Sequence, residues 1–167
     1  MPTNDAGLKL PDLICVCESV YRGALTRGAR YEVLALDPDR RQARMRGDNG
    51  RVRWFPLYCF AAGDVSVPRL AAFRIDDPID PDGAYSVEVT VTLTDGQLRW
   101  CVFATPEALA ASGELIDAGP ARFHFGNRHI IIATALSEAL IGAMLRQIDG
   151  QGELLACTLA LEPDKGD

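Results

Sequence analysis

The side chains of this sequence best suited to chemistry are five cysteines and two histidines. Cys15-x-Cys17 with His124 and His129 could supply the sulfur and nitrogen donors of a zinc site. Zinc-binding cysteine pairs are typically about two to four residues apart. Here a single residue separates Cys15 from Cys17, and no second close pair follows. Residues two apart share one face of a strand, so a half-buried first strand explains the pair. Cys101 or Cys157 with His129 could form a nucleophile and its base, since a thiolate must be activated by a neighbouring group. Both cysteines lie in strand-like apolar stretches, where burial leaves a thiol inert.

Asp76, Asp77, Asp80 and Asp82 could offer oxygen ligands to a divalent cation. Their spacing lacks the glycine and the terminal glutamate of an EF-hand loop, and it reads as an acidic, solvated linker. There is no glycine-rich phosphate loop, no H-E-x-x-H and no G-x-S-x-G. The sequence therefore predicts no enzyme: no catalytic residue, no cofactor and no metal.

One cluster remains, formed by Arg40, Arg41, Arg44, Arg46, Arg51 and Arg53. Strict alternation puts Arg44, Arg46, Arg51 and Arg53 together on the outer face of a hairpin. Such a face suits another protein as partner, with nucleic-acid or nucleotide binding as the alternative. The net charge of −6 opposes nucleic acid. That charge is divided unevenly: residues 1–62 balance at +3 and residues 63–167 at −9. The shift suggests two parts, 1–62 and 85–167, joined by an acidic, proline-containing connector over 63–84.

The elements that would carry these residues follow from pattern. Leu13–Ser19 is apolar enough for a first strand, and Tyr31–Leu36 for a second. Asp37-Pro38-Asp39 signals a turn. Gln42–Arg46 turns Ala43 and Met45 inward. Gly47-Asp48-Asn49-Gly50 closes a hairpin, because Asn-Gly accepts positive φ. Arg51–Phe55 returns, with Val52 and Trp54 alternating against Arg51 and Arg53 and Trp54 in the core. Pro56 ends that strand, and Leu57–Phe60 makes a turn and a last short strand. Arg69–Ile75 forms a possible strand in the connector. Tyr85–Thr94 alternates apolar and polar, and Asp95-Gly96 turns it into Gln97–Ala104. Thr105-Pro106-Glu107 starts a short helix. Ala121–Phe125 and Arg128–Thr134 read as strands around Gly126-Asn127. Ser137 starts a helix to about Asp149, with Leu136, Leu140, Ile141, Met144, Leu145 and Ile148 on one face and Gly150 as C-cap. Glu153–Leu161 reads as a final strand.

The pattern Leu25-x-x-Gly28-x-x-Tyr31-x-Val33-Leu34, then Asp48-Asn49-Gly50-Arg51, then Phe55-Pro56, resembles SH3 domains. The resemblance implies an SH3-like barrel over about residues 13–62. SH3 domains grip proline-rich peptides with stacked aromatic side chains. Here Gln42 and Ala43 stand where a tryptophan is usual, and Cys59 stands where a tyrosine is usual, with Tyr58 one position early. The resemblance therefore implies the barrel without its peptide groove. The second half, through VEVTVTLTDGQLRWCVFATPEALA and HIIIATALSEALIGAMLRQIDGQGELLACTLAL, resembles small bacterial proteins, some of toxin-immunity type.

The expected architecture is a mixed α+β chain. It has an N-terminal SH3-like barrel, then β-β-α-β-β-α-β with a largely antiparallel sheet and helices on one face. The expected function is non-enzymatic protein binding, toxin-neutralising or regulatory. An apolar run long enough to span a bilayer is absent. The N-terminal MPTNDAGLKLPDL lacks the layout of a signal peptide, so the cytoplasm is the expected compartment.

Overall fold

The computed structural model describes residues 10–79, 86–115, 121–124 and 127–161. It divides into two compact units, Met1–Val67 with Gly150–Gly152, and Pro68–Asp149 with Glu153–Asp167.

The first unit contains two small antiparallel sheets. β1 (Leu13–Cys15) lies between β2 (Arg30–Tyr31) and β6 (Phe60–Ala62). β4 (Gln42–Arg46) lies between β3 (Val33–Asp37) and β5 (Val52–Pro56). Both sheets feed one core that includes Leu13, Cys15, Tyr31, Val33, Met45 and Phe55. The Phe55 ring meets Tyr21 edge-on at 5.2 Å and Phe60 at 6.3 Å. Apolar burial and edge-to-face ring contacts hold this small unit together.

The barrel expected for residues 13–62 does not form. No ladder closes the two sheets into a cylinder. β2 and β3 are separated by Glu32 alone, yet they belong to different sheets. A bulge between Val33 and Ala35 breaks the β3 ladder. Between β5 and β6, Pro56 cannot donate a ladder bond, and a 3-10 turn over Leu57–Cys59 redirects the chain.

The hairpin between β4 and β5 differs from its expected geometry by one residue. The Gly50 amide donates to the Gly47 carbonyl at 2.9 Å, and the Gly47 amide to the Arg51 carbonyl at 3.0 Å. Of the four turn residues only Gly50 has positive φ, +75°. This is a type I turn followed by a left-handed glycine, and it adds a bulge residue to the hairpin. Met45 consequently pairs with Arg53, Arg44 with Trp54, and Ala43 with Phe55. A two-residue Asn49-Gly50 turn would have paired Met45 with Trp54 instead. A slip of one residue exchanges the faces of a strand, so Phe55 is buried and Trp54 is exposed.

The turn is held from outside. Asp48 Oδ2 accepts from Thr26 Oγ1 at 2.8 Å, and Asp48 Oδ1 accepts from the Tyr31 phenol at 2.9 Å. The Thr26 amide donates to the Tyr31 oxygen at 2.7 Å, and the Asp48 amide to the Ala24 carbonyl at 2.9 Å. Gly47 permits this approach, because a Cβ there would stand 2.6 Å from the Ala24 carbonyl oxygen.

The second unit is built on a five-stranded sheet. β8 (Ser86–Leu93) and β9 (Leu98–Ala104) form its centre, and β7 (Leu70–Ile75) is an edge. The strand expected at Arg69–Ile75 forms as β7, from Leu70 onward, and pairs with β8 in this unit's sheet. The helix α1 (Pro106–Ala111) starts as expected, with the Thr105 hydroxyl accepting from the Ala108 amide at 3.2 Å, but it buries no residue. The strands β10 (Glu114–Leu115) and β11 (Arg122–Phe123) form a separate pair. The strand β12 (Ile130–Ile132) lies parallel to β9 at Val102–Ala104. The helix α2 (Glu138–Gly150) buries Ile141 and Leu145 against Val87, Val89, Val91, Cys101 and Phe103. β13 (Leu159–Ala160) pairs with β9 at Arg99 and Trp100.

Of the described residues 39% are strand and 16% helix, so the class is mostly β and not the expected α+β with an SH3-like barrel. Helices on one face do not describe it either, since only α2 contributes buried residues. Leu140 on that helix is exposed. The strand expected over Glu153–Leu161 shrinks to two residues. Before it, the Ala156 and Cys157 amides both donate to the Glu153 carbonyl at 3.0 Å, forming a helical turn. Arg99 pins that turn, donating to Thr158 Oγ1 at 2.7 Å and to the Leu155 carbonyl at 3.0 Å. Gly150 ends inside α2, and the left-handed glycine is Gly152, at φ +80°. The parts of the expected elements at Tyr85, Phe125 and Gly126 lie outside the described residues.

Replacing Asp48 by Ala leaves the Tyr31 and Thr26 hydroxyls without their acceptor. It should lower unfolding stability by about 2 kcal/mol. Gly47→Ala should cost about 1–3 kcal/mol, because the Ala24 backbone must move. Urea titration followed by circular dichroism measures both, and unchanged midpoints would show that the turn is not held by this clamp.

Candidate functional site

The exposed face of the β3–β4–β5 sheet is where the arginine cluster is partly assembled. β4 alternates cleanly, with Ala43 and Met45 fully buried and Arg44 and Arg46 exposed. Cross-strand partners share a face, and their Cβ atoms lie about 4.5–5.5 Å apart. Trp54 and Val52 of β5 therefore stand beside Arg44 and Arg46. On the other side Ala35 of β3 pairs with Arg44, and Asp37 pairs with Gln42. Trp54 is 40% exposed and Val52 36%, and Leu34 and Leu36 of β3 are exposed as well, at 52% and 41%.

Arg51 and Arg53 do not join this face. Arg51 closes the turn opposite Gly47, and Arg53 pairs with Met45, on the other side of the ladder. Its long side chain still reaches solvent at the sheet edge. The expected group of four arginines thus divides into Arg44 and Arg46 on one side and Arg51 and Arg53 on the other. Strict alternation missed Trp54 as a surface residue. The signal for it lies in Gly50, since glycine suits the fourth position of a type I turn and the left-handed conformation that follows it.

The electrostatics of the face are simple. Arg46 donates to the Gly50 carbonyl at 2.7 Å, which stiffens the turn. The guanidinium of Arg44 makes no ion pair or hydrogen bond within the described residues. Arg40, by contrast, lies 3.9 Å from Asp37. The face offers a free guanidinium beside an indole and a valine. It can pair with a carboxylate or phosphate while covering an apolar or aromatic group.

The other candidate residues are engaged differently. Cys15 and Cys17 belong to the first unit, and His124 and His129 to the second. His124 Nε2 lies 3.1 Å from the Leu109 carbonyl, and the His129 ring lies 4.6 Å from that of Trp100. Among the described residues, three or more His, Cys, Asp or Glu never gather in a way that could hold a metal ion. Asp76 accepts from Thr90 Oγ1 at 2.6 Å and from Arg74 Nε at 2.7 Å. Partial burial works against the Asp76 charge, but these hydrogen bonds and the Arg74 charge outweigh it and hold the carboxyl below its usual range. Asp77 accepts from the Glu88 amide at 3.0 Å. Asp80 and Asp82 lie outside the described residues.

Burial pushes the Cys15 thiol up to about 12, Cys59 to about 11 and Cys101 to about 12. Cys157 shifts the same way, by burial and by the nearby Glu153 carboxylate. These shifts run opposite to what a thiolate nucleophile needs.

Comparison with protein-family models, curated proteins and solved structures returns no match. With no match and no closed barrel, the resemblances to SH3 domains and to toxin-immunity proteins are not upheld.

The thiols bind protons more tightly in the folded chain than in the unfolded one, where they ionise near 9.0. Their contribution to stability is complete below that pH and is lost as pH rises through 9 towards 11 and 12. Urea midpoints should therefore fall steadily between about pH 8 and about pH 10.5. The fall should be smaller with Cys15 and Cys101 replaced by Ala. A midpoint that stays flat over that range would show these thiols to be solvated.

Proposed function

We propose that the protein is a non-catalytic binding module that recognises another protein through the exposed face of the β3–β4–β5 sheet. Arg44, Arg46, Val52 and Trp54 make the contact. The observation that carries this reading is the pairing of an exposed Trp54 with an Arg44 guanidinium that lacks a partner among the described residues. Tryptophan and arginine are the residues most enriched where interfaces hold their binding energy. A lone guanidinium favours a partner with a carboxylate next to an apolar group. Such binding would serve to regulate or neutralise the partner. The proposed setting is the cytoplasm; no described helix is long and apolar enough to cross a membrane.

The second reading is nucleic acid, with Trp54 stacking on a base and the arginines meeting phosphates. The net charge of −6 and the loss of Arg51 and Arg53 from the face weigh against it.

Affinity capture with the wild-type protein, followed by titration of what it retains, tests both readings. Trp54→Ala should weaken binding by about 2 kcal/mol, roughly thirtyfold. Arg44→Glu should weaken it too, while Arg53→Glu on the opposite side should leave it unchanged. Equal retention by all variants contradicts the proposal. Binding of a labelled single-stranded oligonucleotide that weakens steeply with salt would favour nucleic acid instead.

A further inference from the structure

Among the described residues, the second unit presents an open sheet edge and a groove at its edge strand. Among the described residues no strand pairs with the outer side of β7. The Asp76 amide donates to the Glu88 carbonyl at 2.9 Å. By strand alternation the backbone groups of Arg74 also face β8, and those of Phe73 and Ile75 face outward. Outward-facing amides and carbonyls are a template for another extended chain.

Phe73 of this edge strand also lines a groove of about 550 Å³, together with Ser137, Glu138, Ala139, Gly142 and Arg146 at α2. Gly142 lets the Phe73 ring lie against the helix, since a Cβ there would stand 2.9 Å from two ring carbons. Glu138, Gly142 and Arg146 recur every fourth residue, so they line one face of α2 over about 12 Å. Alternate residues of an added strand share one face, and three of them span about 13 Å. The two repeats match in length. Neither Glu138 nor Arg146 makes an ion pair among the described residues, so a charge of each sign is available, one at either end of the row.

We propose that the second unit captures an extended segment of a partner protein by strand addition to β7. The segment carries a basic, an apolar and an acidic side chain at alternate positions. The basic group meets Glu138, the apolar one packs over Gly142 and Phe73, and the acidic one meets Arg146. Because the two end charges differ in sign, only one order along the segment satisfies both.

Two labelled peptides test this on the whole chain, one with the core Lys-Thr-Leu-Thr-Glu and one with Glu-Thr-Leu-Thr-Lys, by fluorescence anisotropy. One order should bind saturably and the other about tenfold or more weakly. N-methylation of one alternate set of amides in the binding peptide should abolish binding, and methylation of the other set should leave it. Arg146→Glu should weaken binding, and changing the peptide's Glu to Lys should restore it. Trp54→Ala should leave peptide binding unchanged, which separates this site from the first unit's face. The proposal is overturned if neither peptide binds, if both orders bind equally, or if N-methylation has no effect. It is also overturned if the protein forms a dimer in sedimentation velocity that the peptide fails to dissociate, for then a second copy occupies the edge.

Discussion

The hydrogen bonds that hold Asp48 set the geometry on which the first unit's surface depends. Its carboxylate accepts from Thr26 and Tyr31, and its amide binds the Ala24 carbonyl. These contacts anchor the tip of the β4–β5 hairpin to β2 and to the chain just before it. The turn so held is type I with Gly50 in the left-handed region. One bulge residue then decides which aromatic is inside. Phe55 enters the core between Tyr21 and Phe60, and Trp54 is left outside opposite Arg44. The Tyr31 phenol is itself buried and holds its proton more tightly than usual, mainly because burial disfavours the phenolate and partly because Asp48 is beside it.

The two units expose different parts of their sheets. In the first, both sheets turn apolar residues into one core, and the opposite face of β3–β4–β5 keeps an indole and a guanidinium free. In the second, α2 covers one face of the sheet, and among the described residues no strand pairs with the outer edge of β7. Side-chain chemistry characterises the first surface, and backbone hydrogen bonding characterises the second. The cysteines belong to neither. Burial keeps Cys15, Cys59 and Cys101 protonated, so they behave as small apolar side chains.

Much of the local structure is legible in the sequence. The alternation that ends in Val87, Val89, Val91 and Leu93 appears as the buried face of β8, and Thr105-Pro106 caps α1. These signals are local, and local propensity suffices to read them. The larger architecture is not legible. SH3-like spacing over Leu25–Pro56 records turn and strand signals, but barrel closure depends on ladders between distant segments. Pro56, the 3-10 turn and the bulge at Val33 stand in their way. The strand over Glu153–Leu161 is overridden by Arg99, which lies more than fifty residues away in sequence. The candidate site was half legible. Arg44 and Arg46 follow from alternation in β4, whereas Arg51, Arg53 and Trp54 require the turn type. Gly47-Asp48-Asn49-Gly50 is compatible with two turns, and the choice depends on a clamp formed with Thr26 and Tyr31.

The register of that hairpin is the claim from which the proposed interface follows. Cross-strand nuclear Overhauser effects between backbone protons of β4 and β5 measure it directly. The account predicts contacts pairing Arg44 with Trp54, Ala43 with Phe55 and Met45 with Arg53. Contacts pairing Met45 with Trp54 would contradict it, because that register buries the tryptophan and moves the arginines of β5 to the outer face.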